Sequence, residues 1–199
     1  MAQKHASDIA VYAPRARLYH WLTAFLILIQ LPLGAYMTYR GYELTYVDGE
    51  GATKVGLFDA LTGFLYDTHK IIGITILAVV LARLVYRLRN GAPASDPSVP
   101  PALVGVSHLV HWAIYALLII VPIGGYLGVS YYGATDAFGL PLLALTEKDQ
   151  KFSETVFAWH GIGAKILFAL VALHIAAAIY HRVIRKDRVV ERMLPKRTV

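Results

Sequence analysis

The sequence predicts an all-α membrane protein, a bundle of four transmembrane helices. Hydrophobic residues make up 57% of the 199-residue chain and charged residues only 16%, a composition too apolar for an ordinary soluble domain. Four apolar segments stand out along the chain, and each is long enough to cross a bilayer as a helix. They run over about 18–39, 65–88, 103–126 and 157–184.

The first and third of these helices each contain an internal proline, Pro32 and Pro122. Proline is tolerated inside membrane helices because neighbouring groups satisfy the carbonyl that it frees. The sequence has no internal repeat and no low-complexity tract, so residues 1–199 are predicted to form a single transmembrane domain.

The three connections differ in character. A short Pro-rich linker at 89–102 joins the second and third helices. Longer loops with glycines and aromatic residues occupy 40–64 and 127–155, and residues 138–145 are expected to lie on the membrane surface. The polar N-terminus lacks an apolar core followed by a cleavage site, so no signal peptide is expected.

The distribution of charge predicts the orientation. Thirteen of the 19 basic residues and four of the 13 acids lie in the two tails and in the 83–101 region, and the other side has six bases and nine acids. The thirteen bases are Lys4, Arg15, Arg17, Arg83, Arg87, Arg89, Arg182, Arg185, Lys186, Arg188, Arg192, Lys196 and Arg197, and the four acids are Asp8, Asp96, Asp187 and Glu191. The positive-inside rule then places both termini in the cytoplasm. The net charge of +6 reflects flanks that face anionic lipid and requires no nucleic-acid partner.

Several kinds of chemistry are excluded by what the sequence lacks. The chain has no cysteine, which rules out thiolate-held iron–sulfur clusters, disulfides and covalently attached c-type haem. A redox metal would therefore have to bind histidine, methionine or oxygen. No dinucleotide-binding fingerprint, phosphate loop or hydrolytic nucleophile constellation is present.

The predicted fourth helix carries three histidines, His160, His174 and His181, in an otherwise apolar segment. His160 and His174 are fourteen residues apart, close to four turns, so both leave the same face about 21 Å apart along the axis. A histidine in the hydrocarbon region is costly unless it is paired, hydrated or bound to a ligand. The pair indicates two cofactors stacked across the bilayer, and the alternative is hydrogen bonding between helices.

Two other histidines lie at matching depths. The first helix enters from the cytoplasm, which places His20 at the depth of His174, and the second enters from outside, which places His69 at the depth of His160. Histidine nitrogens bind haem iron on either face. The sequence therefore predicts a four-transmembrane-helix bundle holding two b-type haems, each between two of these histidines.

Gly34, Gly73 and Arg83 are placed where they could serve these sites. Gly34 lies fourteen residues after His20, where the external haem needs room, and Gly73 lies one turn from His69. Arg83 lies fourteen residues after His69, at the cytoplasmic level, where it could pair with a haem propionate. The alternatives are that the glycines only allow close helix packing and that Arg83 extends to the headgroups.

Four segments resemble the prokaryotic cytochrome b561 family, four-helix dihaem membrane proteins that include bacterial superoxide oxidase. These are PRARLYHWLTAFLILIQLPLG, HKIIGITILAVVLARLVYRLRNGAP, HLVHWAIYALLIIVPIGGYLG and LHIAAAIYHRVIRKDRVVERMLP. Together they cover nearly the whole chain apart from the predicted external loops. The last segment is the most specific, with its two histidines, its alanine-rich run and its closing Arg-Met-Leu-Pro.

The resemblance assigns roles to individual residues. The haem ligands that it implies are His20, His69, His160 and His174. It also implies that His181 lies near the cytoplasmic haem where a quinone is expected, as a hydrogen-bond partner and proton donor. The alternative is an interfacial histidine among basic residues. Gly161 departs from the family pattern, because members often have an acid there.

The resemblance further implies an oxidoreductase of the bacterial inner membrane, most like a superoxide:ubiquinone oxidoreductase. The expected cofactors are two haem b with ubiquinone as acceptor, and the expected partners are lipid, quinone, and either superoxide or a redox protein. One alternative is a haem b subunit of a larger dehydrogenase or hydrogenase. A more distant alternative is a haem-free transporter or scaffold.

Four remaining residues are candidates for a role at either side. Lys70 and Lys165, near the external level, could attract an anionic donor, although acids outnumber bases on that side. His108 and His111 share a face at the cytoplasmic start of the third helix. They are either interfacial residues or part of the lining of a quinone pocket.

Overall fold

Four long helices dominate residues 10–194, the part of the chain that the computed structural model describes. The helices are α1 (Pro14–Thr38), α2 (Ala60–Asn90), α3 (Pro101–Tyr132) and α4 (Gln150–Ile179). Shorter helical segments are π-helical at Tyr39–Glu43 and Tyr180–Arg185 and 3-10 at Val190–Met193. All four helices are long and apolar enough to cross a membrane. Lys4, Asp8, Lys196 and Arg197 of the predicted cytoplasmic flanks lie outside the described residues.

Each helix, with its π-helical continuation, covers its predicted apolar segment and extends beyond it, because polar caps set several of the ends. Asp59 caps α2 by accepting a hydrogen bond from the Thr62 amide at 2.9 Å, and Asp149 caps α4 in the same way. The Thr62 amide and the Arg40 guanidinium lower the pKa of Asp59 to about 2. At the other end of α3, Gly133 adopts the left-handed conformation that ends a helix, with φ of 85°.

The two longer loops each fold into a short antiparallel hairpin, which hydropathy did not predict. The strands are β1 (Thr45–Val47) with β2 (Thr53–Val55), and β3 (Asp136–Ala137) with β4 (Leu140–Pro141). Leu140, Leu143 and Leu145 are exposed. The placement of residues 138–145 on the membrane surface stays a prediction.

A small apolar core lies near the middle of the four helices. It contains six buried residues drawn from all four helices: Ile27, Ile76, Val80, Tyr115, Leu118 and Leu167. Large apolar side chains such as Phe25, Ile120 and Phe168 are instead exposed on the outer faces. A soluble protein buries such side chains, whereas a membrane bundle presents them to lipid.

The helices pack in chain order, α1 against α2, α2 against α3, and α3 against α4. At the end of the bundle where the described chain begins and ends, the segment Val190–Met193 folds back onto the start of α1. The buried Arg192 side chain donates to the Ala10 carbonyl at 2.9 Å, and Arg17 donates to the Leu194 carbonyl at 2.6 Å. These contacts tie the two ends of the described chain together.

Candidate functional site

His69 of α2 and His160 of α4 face each other inside the bundle, and we call this depth the His69–His160 level. Their ring centroids are 6.1 Å apart and the ring planes are inclined at 82°. The Nδ1 atom of His160 donates a hydrogen bond to the Val121 carbonyl of α3 at 2.9 Å. Because a carbonyl only accepts, Nδ1 carries the proton, and the lone pair of Nε2 is free to bind a metal.

Two glycines make room for these imidazoles. A Cβ atom on Gly34 of α1 would lie 2.9 Å from Cε1 of His69, and one on Gly125 of α3 would lie 2.9 Å from Cε1 and Nδ1 of His160. Each glycine follows an internal helix proline by two or three residues, Pro32 in α1 and Pro122 in α3. Gly34 had been expected to leave space for a cofactor, and its direct contact is with the histidine ring itself.

A glutamine near mid-depth joins α1 to the His69–His160 level. The amide nitrogen of Gln30 donates to the His69 backbone carbonyl at 3.0 Å, and a Cβ on Gly73 would meet this nitrogen at 3.3 Å. Gly73 therefore admits the Gln30 side chain. The Oε1 atom of Gln30 and the Nδ1 atom of His69 are buried and have no hydrogen-bond partner. Such groups inside a bilayer call for a partner.

The second level contains His20 of α1 and His174 of α4, and we call it the His20–His174 level. The ring centroids of these two residues are 6.2 Å apart, with planes at 76°. Arg83 of α2 lies at this depth, and its guanidinium donates to Nδ1 of His20 at 3.0 Å. The same guanidinium lies over the Tyr115 ring at 5.1 Å. His111 also reaches this level, with its ring 5.1 Å from that of His174.

The spacing of the two imidazoles at each level is the one that a shared iron would need. At the His20–His174 level, Arg83 would have to release Nδ1 of His20 so that the ring could carry its proton there and bind the iron through Nε2. Two imidazoles on one metal, each with a bond of about 2 Å, have ring centroids about 6 Å apart. The separations of 6.1 and 6.2 Å match this value, whereas 5.1 Å between His111 and His174 is too short. Within residues 10–194 no group of three or more His, Cys, Asp or Glu side chains could hold a metal ion. A porphyrin supplies the remaining ligands that such an ion needs.

His181 lies in the π-helical continuation of α4 and is held by an acid from the following turn. Lys186 adopts a left-handed conformation, with φ of 52°, and this turns the chain back on itself. The Asp187 carboxylate thereby reaches Nδ1 of His181 at 2.6 Å, and only 8% of the Asp187 side chain is exposed. Arg185 lies 3.7 Å from the same carboxylate oxygen. His181 is thus part of an ordered polar cluster.

Of the two lysines proposed to attract an anionic donor, Lys70 is held in an ion pair and Lys165 lies away from the predicted external level. Lys70 forms an ion pair with Asp67 at 2.8 Å and also donates to the Asp136 carbonyl. Lys165 is exposed near the middle of α4, and it lies nine residues, or two and a half turns, from His174. Its side chain therefore leaves the helix on the side opposite to His174, and its position near the middle of the span places it away from the predicted external surface.

Residues 11–196 match the family model described as prokaryotic cytochrome b561. The chain belongs to this family. The match confirms the resemblance, and with the four apolar helices it confirms the predicted membrane-bundle fold. As a member of the cytochrome b561 family, the protein is a multi-pass bacterial membrane protein of a class that binds b-type haem.

Three curated relatives are similar over much of their length. The chain is 33% identical over 131 residues to Probable superoxide oxidase CybB of Yersinia pestis, covering 65% of this chain and 74% of the relative. It is 25% identical over 179 residues to Cytochrome b561 homolog 1 of Escherichia coli (strain K12), and the match covers 89% of this chain and 93% of the relative. It is 28% identical over 185 residues to Cytochrome b561 homolog 2 of the same strain, and the match covers 89% of this chain and 88% of the relative. One relative is therefore named for an oxidoreductase and two for the cytochrome family alone.

For this cytochrome b561 protein, sequence reasoning proposed the four histidines that the structure brings together in pairs. It did not propose Gly125, Gln30 or Asp187. The Pro-x-Gly spacing of α1 recurs in α3, but there it matches Gly124, so no sequence signal singled out Gly125. Asp187 follows a basic run and gives no such signal in sequence, since only the turn at Lys186 brings it back to His181.

Proposed function

We propose that this cytochrome b561 protein carries electrons across the bacterial inner membrane to the quinone pool through two b haems. The observation that carries the proposal is the pair of interhelical imidazole contacts at two depths, with centroid separations of 6.1 and 6.2 Å. The four ligands would be His69 with His160, and His20 with His174. When bound, haem b supplies one-electron redox chemistry, which the protein tunes through its ligands and their hydrogen bonds.

The chain's own residues orient these ligands. The Val121 carbonyl fixes the ring of His160 with Nε2 directed away from α3, and Gly125 lets that ring approach closely. Arg83 is a half-buried cation at the His20–His174 level without a carboxylate partner among the described ion pairs. A haem propionate is the anion that would pair with this guanidinium.

His181 and Asp187 are proposed to deliver a proton at the quinone site. Reduction of a quinone to quinol consumes two electrons and two protons, so the site needs a donor at a quinone oxygen. Asp187 binds Nδ1 of His181 and stabilises the positively charged ring, so that the Nε2 proton can be transferred to the quinone oxygen. His181 and Asp187 follow His174 towards the end of the bundle, and this position supports the proposal because solvent there would return the proton.

Superoxide is the donor that we propose, on the likeness to Probable superoxide oxidase CybB. Each superoxide would give up one electron and leave as dioxygen, so two are oxidised for each quinone reduced. The surplus of acids on the proposed external side, nine against five bases once the mid-depth Lys165 is left out, favours a second candidate. In that case the protein is a haem b subunit, and its donor is a protein with a basic docking surface.

Purified protein distinguishes these candidates. Pyridine haemochrome analysis should give two haems b per chain, and superoxide generated outside vesicles should reduce ubiquinone in the membrane. A stoichiometry of one haem would contradict the two-level site. If the isolated chain holds two haems but shows no superoxide-dependent turnover, the second candidate is supported, in which the chain is a haem b subunit and its donor is another protein. Family membership makes the haem-free transporter the weakest alternative.

A further inference from the structure

Lys165 is a charged side chain at the middle of a transmembrane helix. The apolar span Gln150–Arg185 has its midpoint between residues 167 and 168, so Lys165 lies about 4 Å from mid-depth at 1.5 Å per residue. Two residues further on, Leu167 belongs to the buried core, but Lys165 itself is exposed. A charged side chain at this depth is costly unless an anion pairs with it.

Within residues 10–194, Lys165 has no such partner. None of the described ion pairs includes it. The acids within the four described spans are Glu43, Asp67 and Glu154, and all three lie near the ends beyond the His69–His160 level. Headgroups are also out of reach, since half the hydrocarbon core is about 15 Å thick and a lysine side chain extends about 6 Å.

The surface around Lys165 is shaped for another helix. Ala169, Ala172 and Ala176 follow at four, seven and eleven residues, so they continue the same stripe, and all are exposed. We call these four residues the Lys165 face. Small side chains let helix backbones approach closely in a bilayer, where packing and polar contacts drive association. Larger exposed residues such as Ile166 and Leu173 flank the stripe.

We propose that the Lys165 face binds a transmembrane helix of another membrane protein, one that carries an Asp or Glu carboxylate near mid-bilayer. The alanines provide the close approach, and the carboxylate provides the anion that Lys165 lacks. A second copy of this chain does not fit the description, because its described spans contain no mid-depth acid. The inference holds for either proposed electron donor, since it depends only on Lys165 and its helix.

The test uses the haem-loaded, full-length protein in vesicles of zwitterionic lipid. A fluorescently labelled Leu-Ala transmembrane peptide with one central Glu is the probe, and the same peptide with Gln at that position is its control. Energy transfer to labelled protein should show at least tenfold tighter association for the Glu peptide. Lys165→Leu should remove this preference and Lys165→Arg should retain it. Ala172→Leu should weaken binding of the Glu peptide at least threefold, while Ile120→Leu on the exposed face of α3 should not.

Three results would overturn the proposal. These are equal association of the Glu and Gln peptides, a Glu preference that survives Lys165→Leu, and self-association of the protein that depends on Lys165. In native membranes, a photo-crosslinker at position 172 should form adducts with a transmembrane segment containing Asp or Glu. Adducts only with lipid or with a second copy would contradict it. Haem content measured in every variant confirms that the bundle is intact.

Discussion

Replacing Gly125 by alanine should remove the haem proposed at the His69–His160 level and leave the other haem in place. The added Cβ would lie 2.9 Å from Cε1 and Nδ1 of His160, closer than atoms of a packed core approach. To restore a contact of about 3.5 Å, the ring must move about 0.6 Å away from α3. The hydrogen bond from Nδ1 to Val121, now 2.9 Å long, would then stretch to the limit of such bonds.

Two opposing effects set the size of this change. Alanine favours a helix over glycine by about 1 kcal/mol, which stabilises α3. Overpacking costs about 1–3 kcal/mol, and the weakened hydrogen bond to Val121 costs about 1 kcal/mol more. The net loss of about 1–3 kcal/mol destabilises the orientation in which His160 would bind the haem. Haem affinity at that level should therefore drop by roughly 5- to 150-fold.

The neighbouring glycine is a matched control. A Cβ on Gly124 meets no atom within 4 Å, so Gly124→Ala should gain helix stability and keep both haems. Pyridine haemochrome analysis of purified protein should give two haems for the wild type and for Gly124→Ala, and close to one for Gly125→Ala. Thermal melts monitored by circular dichroism show whether the bundle remains folded. Two haems with an unchanged spectrum in Gly125→Ala would refute the reasoning.

Four further outcomes are expected. His69→Ala should remove one haem and His20→Ala the other from folded protein, and loss of both haems from either variant would contradict the pairing. His181→Ala should keep both haems while quinone reduction slows at least tenfold, a barrier change of about 1.4 kcal/mol. Unchanged turnover would exclude this residue. Asp187→Asn should slow the same step without changing superoxide-independent reduction of the haems by dithionite, and an unaltered rate would leave the carboxylate without a role in proton delivery. The Asp59 carboxylate, whose pKa is lowered to about 2, should stabilise the fold above about pH 4 and lose that effect as pH falls towards 2. Asp59→Asn should thus lower Tm more at pH 7 than at pH 2, where about half of the Asp59 carboxylate is already protonated in the folded protein, and equal deficits at both pH values would contradict the cap.

The sequence by itself determined the four spans and the depths of the histidines. Both follow from local geometry, because a helix rises by a constant 1.5 Å per residue and the bilayer sets how much of it must be apolar. Once the direction of each helix is known, His69 lies at the depth of His160, and His20 lies on the cytoplasmic side with His174 and His181. The structure brings the predicted pairs together with centroid separations of 6.2 and 6.1 Å.

Only the tertiary structure decided which surfaces meet. Hydropathy cannot distinguish a face that packs on a neighbour from one that meets lipid when both are apolar, as in this bundle. The contacts of Gly125 with His160 and of Gln30 with the His69 carbonyl depend on how closely the helices approach. The contact of Asp187 with His181 depends on a single left-handed residue. The outward direction of Lys165 likewise follows from which side of α4 the other helices cover, and the sequence contains no information about that until the bundle is assembled.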